Sequence, residues 1–381
     1  MNNENTTKPK MRKRKKVLIA LTAVFSLLIG SIAFIGHANF NFSDEELSDT
    51  TYENAMSDSI NIVTNPRVVD IAMLGAHDAF THNIDSFNRV EPDSLVKGDW
   101  MKYLGGGLVT RISRAQAHGA GDMLRHGVRY FDIRIALVES EWYTVHGLVS
   151  DTLRSYIEET LEFLDSVSGE LVILDIHHAK VGNKTRDDLY DYLDTIKINS
   201  KSIFDYVSYD TNSISLGNLR YNDVVSGSSG VVIIDSKTLS HSHSNKIYQY
   251  TNGDSNDLSI AVSGTVRSVW HDDNREIKMF EKIEKEQEFL SANYDSYKHM
   301  MRINQGQMTL ATANGSIPNI LFKWSLIDCA KSFNSTSVER PDFSNWLQNT
   351  PIYMVDFATS NHRQFNDKAM AIINQFNADL A

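Results

Sequence analysis

The chain of 381 residues has one cysteine, Cys329, and only 6 prolines. A single thiol excludes an internal disulfide framework and a cysteine-built zinc site, so stability must come from a buried core. Gly-rich phosphate loops are also missing. The "GGGLV" at 105–109 sits in a polar insertion with no strand-like run before it, which argues against a dinucleotide-binding sheet. No His-x-x-x-His lies on a helical stretch, and no internal repeat is evident. Basic charge is scarce: 37 Lys and Arg stand against 48 Asp and Glu, a net charge of −11. Seven of those basic residues and one Glu fall in residues 1–38, so the remainder carries −17. Such a body does not bind nucleic acid through general electrostatics.

What is present fits a globular chain with a large core, at 41% hydrophobic and 22% charged residues. It opens with "KPKMRKRKK" and then the uncharged run "VLIALTAVFSLLIGSIAFIGHA", Val17 to Ala38, which is the order of a secretory signal. Gly36 and Ala38 offer a cleavage site, while the length of the run approaches that of a membrane span, so a cleaved signal and an uncleaved anchor are both open. Either way the rest of the chain is expected outside the cytoplasm. The expected organisation is a leader over 1–38, an acidic linker over 39–60 and one catalytic domain over 61–381.

Short β-branched runs then alternate with stretches of helical spacing. The runs are "VVDIAML" (68–74), "YFDIRIAL" (130–137), "ELVILDIHH" (170–178), "GVVIID" (230–235), "LSIAVSG" (258–264), "MRINQGQM" (301–308) and "IYMVDFA" (352–358). Between them, segments such as "TLRSYIEETLEFLDSV" and "REIKMFEKIEKEQEFLSANYDSYKHM" repeat apolar residues every three or four positions. Strands alternating with helices imply a parallel sheet, and this number of them predicts an irregular or incomplete TIM-type (β/α) barrel.

In such a barrel, reactive side chains stand at the carboxyl ends of strands. The first candidate strand leads into "GAHDAFTHN", placing His77 and Asp78 there. The second carries Asp132 and Arg134 two positions apart, hence on one face, and the loop after it delivers His146. The third ends with Asp175, His177 and His178, and the last with Asp356. Two histidines can serve as base and acid near neutral pH, and an arginine offers two donors to phosphoryl oxygens without losing its charge. Carboxylates beside the histidines orient them and raise their basicity. Together these groups suit acid/base cleavage of a phosphodiester without a metal ion, and Arg134 beside Asp132 would repel one.

The motifs "GAHDAFTHN", "MLRHGVRYFDIRIAL" ending in "VHG", and "LVILDIHH" resemble the X-domain signature of phosphatidylinositol-specific phospholipase C in its bacterial, metal-independent form. The resemblance covers residues 70–180 and extends more loosely to 360. It implies that His77 is the general base for the inositol 2-hydroxyl, oriented by Asp356. It implies that His146 is the general acid for the diacylglycerol oxygen, partnered by Asp78, and that Arg134 clamps the phosphate. Asp132 supports Arg134, and Asp132, His177 and Arg220 form the expected substrate-binding set. No cofactor is implied. The implied partner is a membrane phospholipid, either phosphatidylinositol or a glycosylated derivative, met by a monomeric enzyme at a membrane surface.

Trp100, Met101, Tyr103 and Leu104 in the insertion after the first strand could dip into that surface. Two other readings stand beside this one. A metal-dependent glycerophosphodiester phosphodiesterase on a similar barrel would need paired acidic ligands near the first two strands. A non-catalytic barrel that binds lipid headgroups or glycans would need none of these groups to react.

Overall fold

The computed structural model describes residues 21–28, 30, 46–92, 109–236, 242–250, 265–310 and 325–380. Its strands are β1 (Met73–Ala76), β2 (Val128–Val138), β3 (Glu141–His146), β4 (Leu148–Thr152), β5 (Leu171–Lys180), β6 (Gly230–Asp235), β7 (Ile247–Gln249), β8 (Val266–Val269), β9 (Met301–Gln305) and β10 (Ile352–Val355). The sheet runs in the order β7-β6-β5-β2-β1-β10-β9-β8, and every neighbouring pair on this path is parallel. Chain order therefore passes once around a barrel. Among the described residues β7 and β8 are not paired, so the barrel is incomplete on that side. This is the irregular TIM-type architecture that the alternating pattern predicts. The strand expected over 258–264 lies outside the described residues.

Parallel strands covered on both faces need apolar side chains throughout, and β6 is buried along its whole length. The helix Leu153–Ser166 covers the sheet with Tyr156, Ile157, Thr160, Leu161 and Leu164, spaced three or four apart on one face. Thr152 starts it by accepting the Ser155 N–H, and a reciprocal Thr185–Asp188 box starts Arg186–Thr195. The hairpin of β3 and β4 is not foreseen by the strand–helix alternation. It pairs antiparallel with the outer half of β2 and returns His146 over the carboxyl end of the barrel.

The amino end of the barrel is closed by buried ion pairs. Arg129 on β2 and Glu170 just before β5 are almost completely buried, and Arg129 Nη2 meets Glu170 Oε2 at 2.7 Å. Arg129 Nε also donates to Glu170, Nη1 reaches the carbonyls of Leu124 and Val128 and Nη2 those of Tyr52 and Glu53, while Glu170 also accepts the N–H groups of Met56 and Ser57. Residues 46–60 are thus part of the domain. Ala55, Met56 and Ile60 are buried in its core, which corrects the expectation that 39–60 is only a linker. The acidic, aperiodic composition of the segment hides its three apolar anchors.

Of the expected leader, residues 21–28 and 30 are described and helical. No helix among the described residues is long and apolar enough to cross a membrane. Trp100, Met101, Tyr103 and Leu104 lie outside the described residues.

Replacing Arg129 with Met should leave Glu170 as a buried, unpaired charge and cost about 3–5 kcal/mol. Urea unfolding of the single variants against Arg129→Met/Glu170→Leu checks this: the double variant should recover much of the loss, and an undiminished loss would mean that the pair is not the cause.

Candidate active site

His77 follows β1 and is held in line by its own N–H donating to Val355 O at 3.0 Å. Its Nδ1 lies 2.7 Å from Asp356 Oδ1 at the end of β10. Because a carboxylate accepts, Nδ1 carries the proton and Nε2 is turned into the cavity, 3.4 Å from Asp78 Oδ2 and 3.3 Å from Arg134 Nη2. One neighbour donates and the other accepts, so Nε2 has a partner in either protonation state.

His146, at the end of β3, mirrors this. Its Nδ1 donates to Ser113 O at 2.8 Å and its Nε2 lies 3.1 Å from Asp78 Oδ2. Both ring nitrogens face acceptors, a backbone carbonyl at Nδ1 and a carboxylate at Nε2. Gly147 permits the approach: its φ is +72°, and a Cβ there would stand 2.8 Å from Ser113 Oγ. The two imidazole centroids are 6.3 Å apart and nearly perpendicular.

Asp78 stands between them, with no solvent exposure. Its φ of +42° is uncommon for a residue with a side chain, and its N–H donates to Asp132 Oδ2 at 3.3 Å. Arg134 Nε is paired with Asp78 Oδ1. Burial favours the neutral acid, but Arg134, then His146 and His77, outweigh it and hold the Asp78 carboxyl far below the usual range. For His77 burial likewise opposes the charged ring. Asp78 and Asp356 overcome it and lift His77 to about 9. Burial pushes the carboxyl of Asp356 up, against the pull of His77.

The cavity over these groups measures about 480 Å³. Tyr130, Asp132 and Arg134 line it from β2, as the strand period requires. Asp175 and His177 line it from β5, where a register shift opposite Ile133 and Arg134 marks a local bulge. His177 Nδ1 meets Tyr250 Oη at 3.0 Å, and Asp175 accepts Tyr250 Oη at 2.9 Å and Tyr130 Oη at 2.5 Å. Burial pushes Asp175 up to about 7 despite His177, with Asp132 adding to the rise.

Of the expected site residues, His77, Asp78, Asp132, Arg134, His146, His177 and Asp356 therefore share one cavity. Arg220 does not. It bridges to Arg67, ahead of β1, and its Nη1 donates to Asn65 O at 2.8 Å, which puts it at the amino end of the barrel. Its role is structural, as the residue that precedes a short helical turn, and its assignment to substrate is corrected. Tyr130 and Tyr250 are site residues that the sequence reading does not single out, and Asp175, a strand-end candidate there, is given no role by it. Asp175 was legible in principle, two positions before His177 on the same strand, whereas nothing near Tyr250 in the chain marks it.

His77, Asp78 and Asp132 each offer a ligand atom, all within 4.8 Å of one another, as a divalent ion would require. The residues around them do not suit one. Arg134 holds Asp78 Oδ1 through Nε, and its Nη2 lies 3.8 Å from Asp132 Oδ2, so a fixed cation already stands among the three ligands.

No family model matches the chain. A stretch of 144 residues is 28% identical to "PI-PLC X domain-containing protein 3" of Danio rerio, covering 36% of this chain and 45% of that protein. Another of 136 residues is 30% identical to "Variant-surface-glycoprotein phospholipase C" of Trypanosoma brucei brucei, covering 32% of this chain and 38% of that protein. The chain thus matches less than half the length of these relatives. Among solved structures, phosphatidylinositol-specific phospholipase C from Staphylococcus aureus superposes with a TM-score of 0.58 at 15% identity, over 85% of this chain and 97% of that one. The Listeria monocytogenes enzyme gives 0.52 at 14% identity, over 85% and 99%. These likenesses bear on the fold.

A histidine titration followed by NMR should find His77 losing its proton near pH 9. Asp356→Asn removes a carboxylate that favours the charged ring, so the midpoint should fall. An unchanged midpoint would show that Asp356 does not act on His77 electrostatically.

Proposed function

We propose that the chain, which resembles phosphatidylinositol-specific phospholipase C X-domain proteins over about a third of its length, is a phosphodiesterase that cleaves a phosphatidylinositol-type lipid by internal attack. One observation carries this reading. The Nε2 atoms of His77 and His146 both approach the same Asp78 oxygen, each ring held at its Nδ1 by another acceptor, and Arg134 is paired with the other Asp78 oxygen.

In this mechanism His77 takes the proton of the inositol 2-hydroxyl, whose oxygen forms a bond to phosphorus. The bond from phosphorus to the diacylglycerol oxygen breaks, and that oxygen receives the Nε2 proton of His146. Inositol 1,2-cyclic phosphate and diacylglycerol are the products. Arg134 faces the phosphoryl oxygens as their charge develops, and because the nucleophile is tethered beside phosphorus, much of the entropic barrier is already removed. Asp356 keeps the His77 proton on Nδ1, and Asp78 faces the Nε2 of His146 and fixes its direction. Tyr130, His177 and Tyr250 offer the headgroup hydroxyls donors and acceptors.

Trp270, 40% exposed at the cavity mouth, presents an indole to a lipid surface. The basic and then apolar order of residues 1–38 supports export, with or without retention as an anchor, and we take the working form to be a monomer at a membrane. The competing reading, a metal-dependent glycerophosphodiester phosphodiesterase, would have to use the cluster of His77, Asp78 and Asp132, and Arg134 among those groups counts against it.

Phosphorus NMR of the chain lacking residues 1–38, with phosphatidylinositol micelles in EDTA, separates the two. A cyclic phosphodiester should accumulate, vanish with His77→Ala, and form about 100- to 1,000-fold more slowly with Arg134→Met. Turnover only after a divalent ion is restored would sink the metal-free reading.

If His77 acts as the base, kcat/KM should fall about tenfold for each pH unit below about 9, since only the neutral ring accepts a proton. Asp356→Asn should move that limb to lower pH. A flat profile from pH 6 to 9 would remove His77 from the role.

A further inference from the structure

The two histidines stand on different strands, yet both are held by one short stretch of chain, residues 113–116, ahead of β2. Ser113 O receives the Nδ1 proton of His146 at 2.8 Å. Ala115 N donates to Thr81 Oγ1 at 3.1 Å, and Ala115 O accepts Phe357 N–H at 2.7 Å. Gln116 completes the attachment with a carboxamide that is wholly buried. Its Nε2 donates to His77 O at 2.8 Å and to Val355 O at 3.1 Å, while its Oε1 accepts Ala358 N–H at 3.0 Å.

These contacts lie where the sheet itself stops. The register between β1 and β10 ends at Ala76 opposite Val355, one residue before His77 and one before Asp356. The single carboxamide spans both chain ends just past that point, on either side of the His77–Asp356 contact. We propose that residues 113–116 are a positioning strap for both histidines, in which Gln116 sets the spacing of His77 and Asp356.

Gln116 bonds only backbone atoms of the catalytic strands, so it is a positioning residue. Without its carboxamide, the buried His77 carbonyl and Ala358 N–H lose their partner and the Val355 carbonyl keeps only the His77 N–H, so the two backbones have to shift or admit water. A hydrogen bond as short as that between His77 and Asp356 is sensitive to such a shift, because it weakens steeply with misalignment. The turnover consequence rests on the proposed phosphodiesterase reading; the hydrogen-bond consequence does not.

The test uses the full chain with Gln116→Met and, as a control, Asn377→Leu. Asn377 is an equally buried amide that pairs with the N–H and carbonyl of Ala72, just before β1 and away from the cavity. The first readout is the low-field imidazole N–H proton of His77 in substrate-free protein, assigned by its loss in Asp356→Asn. The second is kcat and KM on phosphatidylinositol micelles, with thermal unfolding recorded beside them.

Gln116→Met should lose or displace the proton signal and lower kcat about 10- to 100-fold with KM within about twofold. Asn377→Leu should lose stability but keep both the signal and kcat. A retained signal in Gln116→Met, or an equal fall of kcat in Asn377→Leu, would reduce Gln116 to a stabilising residue and overturn the strap. Should Gln116→Met fail to fold, Gln116→Glu keeps the acceptor for Ala358 and removes the donors, so a retained signal there overturns it equally. If the unaltered chain turns over no phosphatidylinositol, the functional reading fails and the proton signal alone decides the strap.

Discussion

Everything in the cavity is arranged around one buried negative charge. Asp78 has no exposure to water, and an isolated carboxylate in that position would take up a proton. It remains ionised because Arg134 and His146, with His77 close by, surround it with donors. The dependence runs both ways. Arg134 is aligned through its Nε by this carboxylate, and the Nε2 atoms of both histidines are turned toward it. A charge that would be a liability in an ordinary core is here the common reference for three functional groups, which is why a residue with a side chain tolerates a left-handed backbone at position 78.

The barrel divides labour between its two ends. At the amino end, Arg129 with Glu170 and Arg302 with Asp70 form ion pairs whose spare donors are spent on backbone carbonyls. These groups have little left to offer a ligand. At the carboxyl end the charged groups are bonded to one another on one side and face a cavity on the other. Buried charge alone does not separate the two cases, since Arg129 and Asp78 are both nearly inaccessible. What separates them is whether the unbonded side of the cluster opens on space.

The legible part of the molecule was what periodicity could carry. Alternation of two put Asp132 and Arg134 on one face, and the rule that reactive groups stand at strand carboxyl ends and the loops after them pointed to His77, His146 and Asp356. The hairpin of β3 and β4 was missed because it interrupts the alternation of strand and helix. Arg220 was misplaced because a short motif records residue type without saying which end of the barrel it occupies. Tyr250 and Gln116 were invisible for a related reason: their partners lie 75 and 242 residues away in the chain, and neither belongs to a local pattern. The packed anchors of residues 46–60 were hidden by the acidic residues around them.

The placement of the last strand has a temporal meaning. Around the sheet, successive strands are mostly laid beside the one just made, but β10 pairs with β1, and the contact between His77 and Asp356 joins residues 279 apart. Closing so long a loop carries an entropic cost that the chain meets only when its final strand is available. His77 therefore meets Asp356 only once the final strand is in place. A chain still emerging from synthesis holds His77, Asp78, Arg134 and His146 but not their completed arrangement. Such a chain is unfinished as a site for as long as it is unfinished as a barrel.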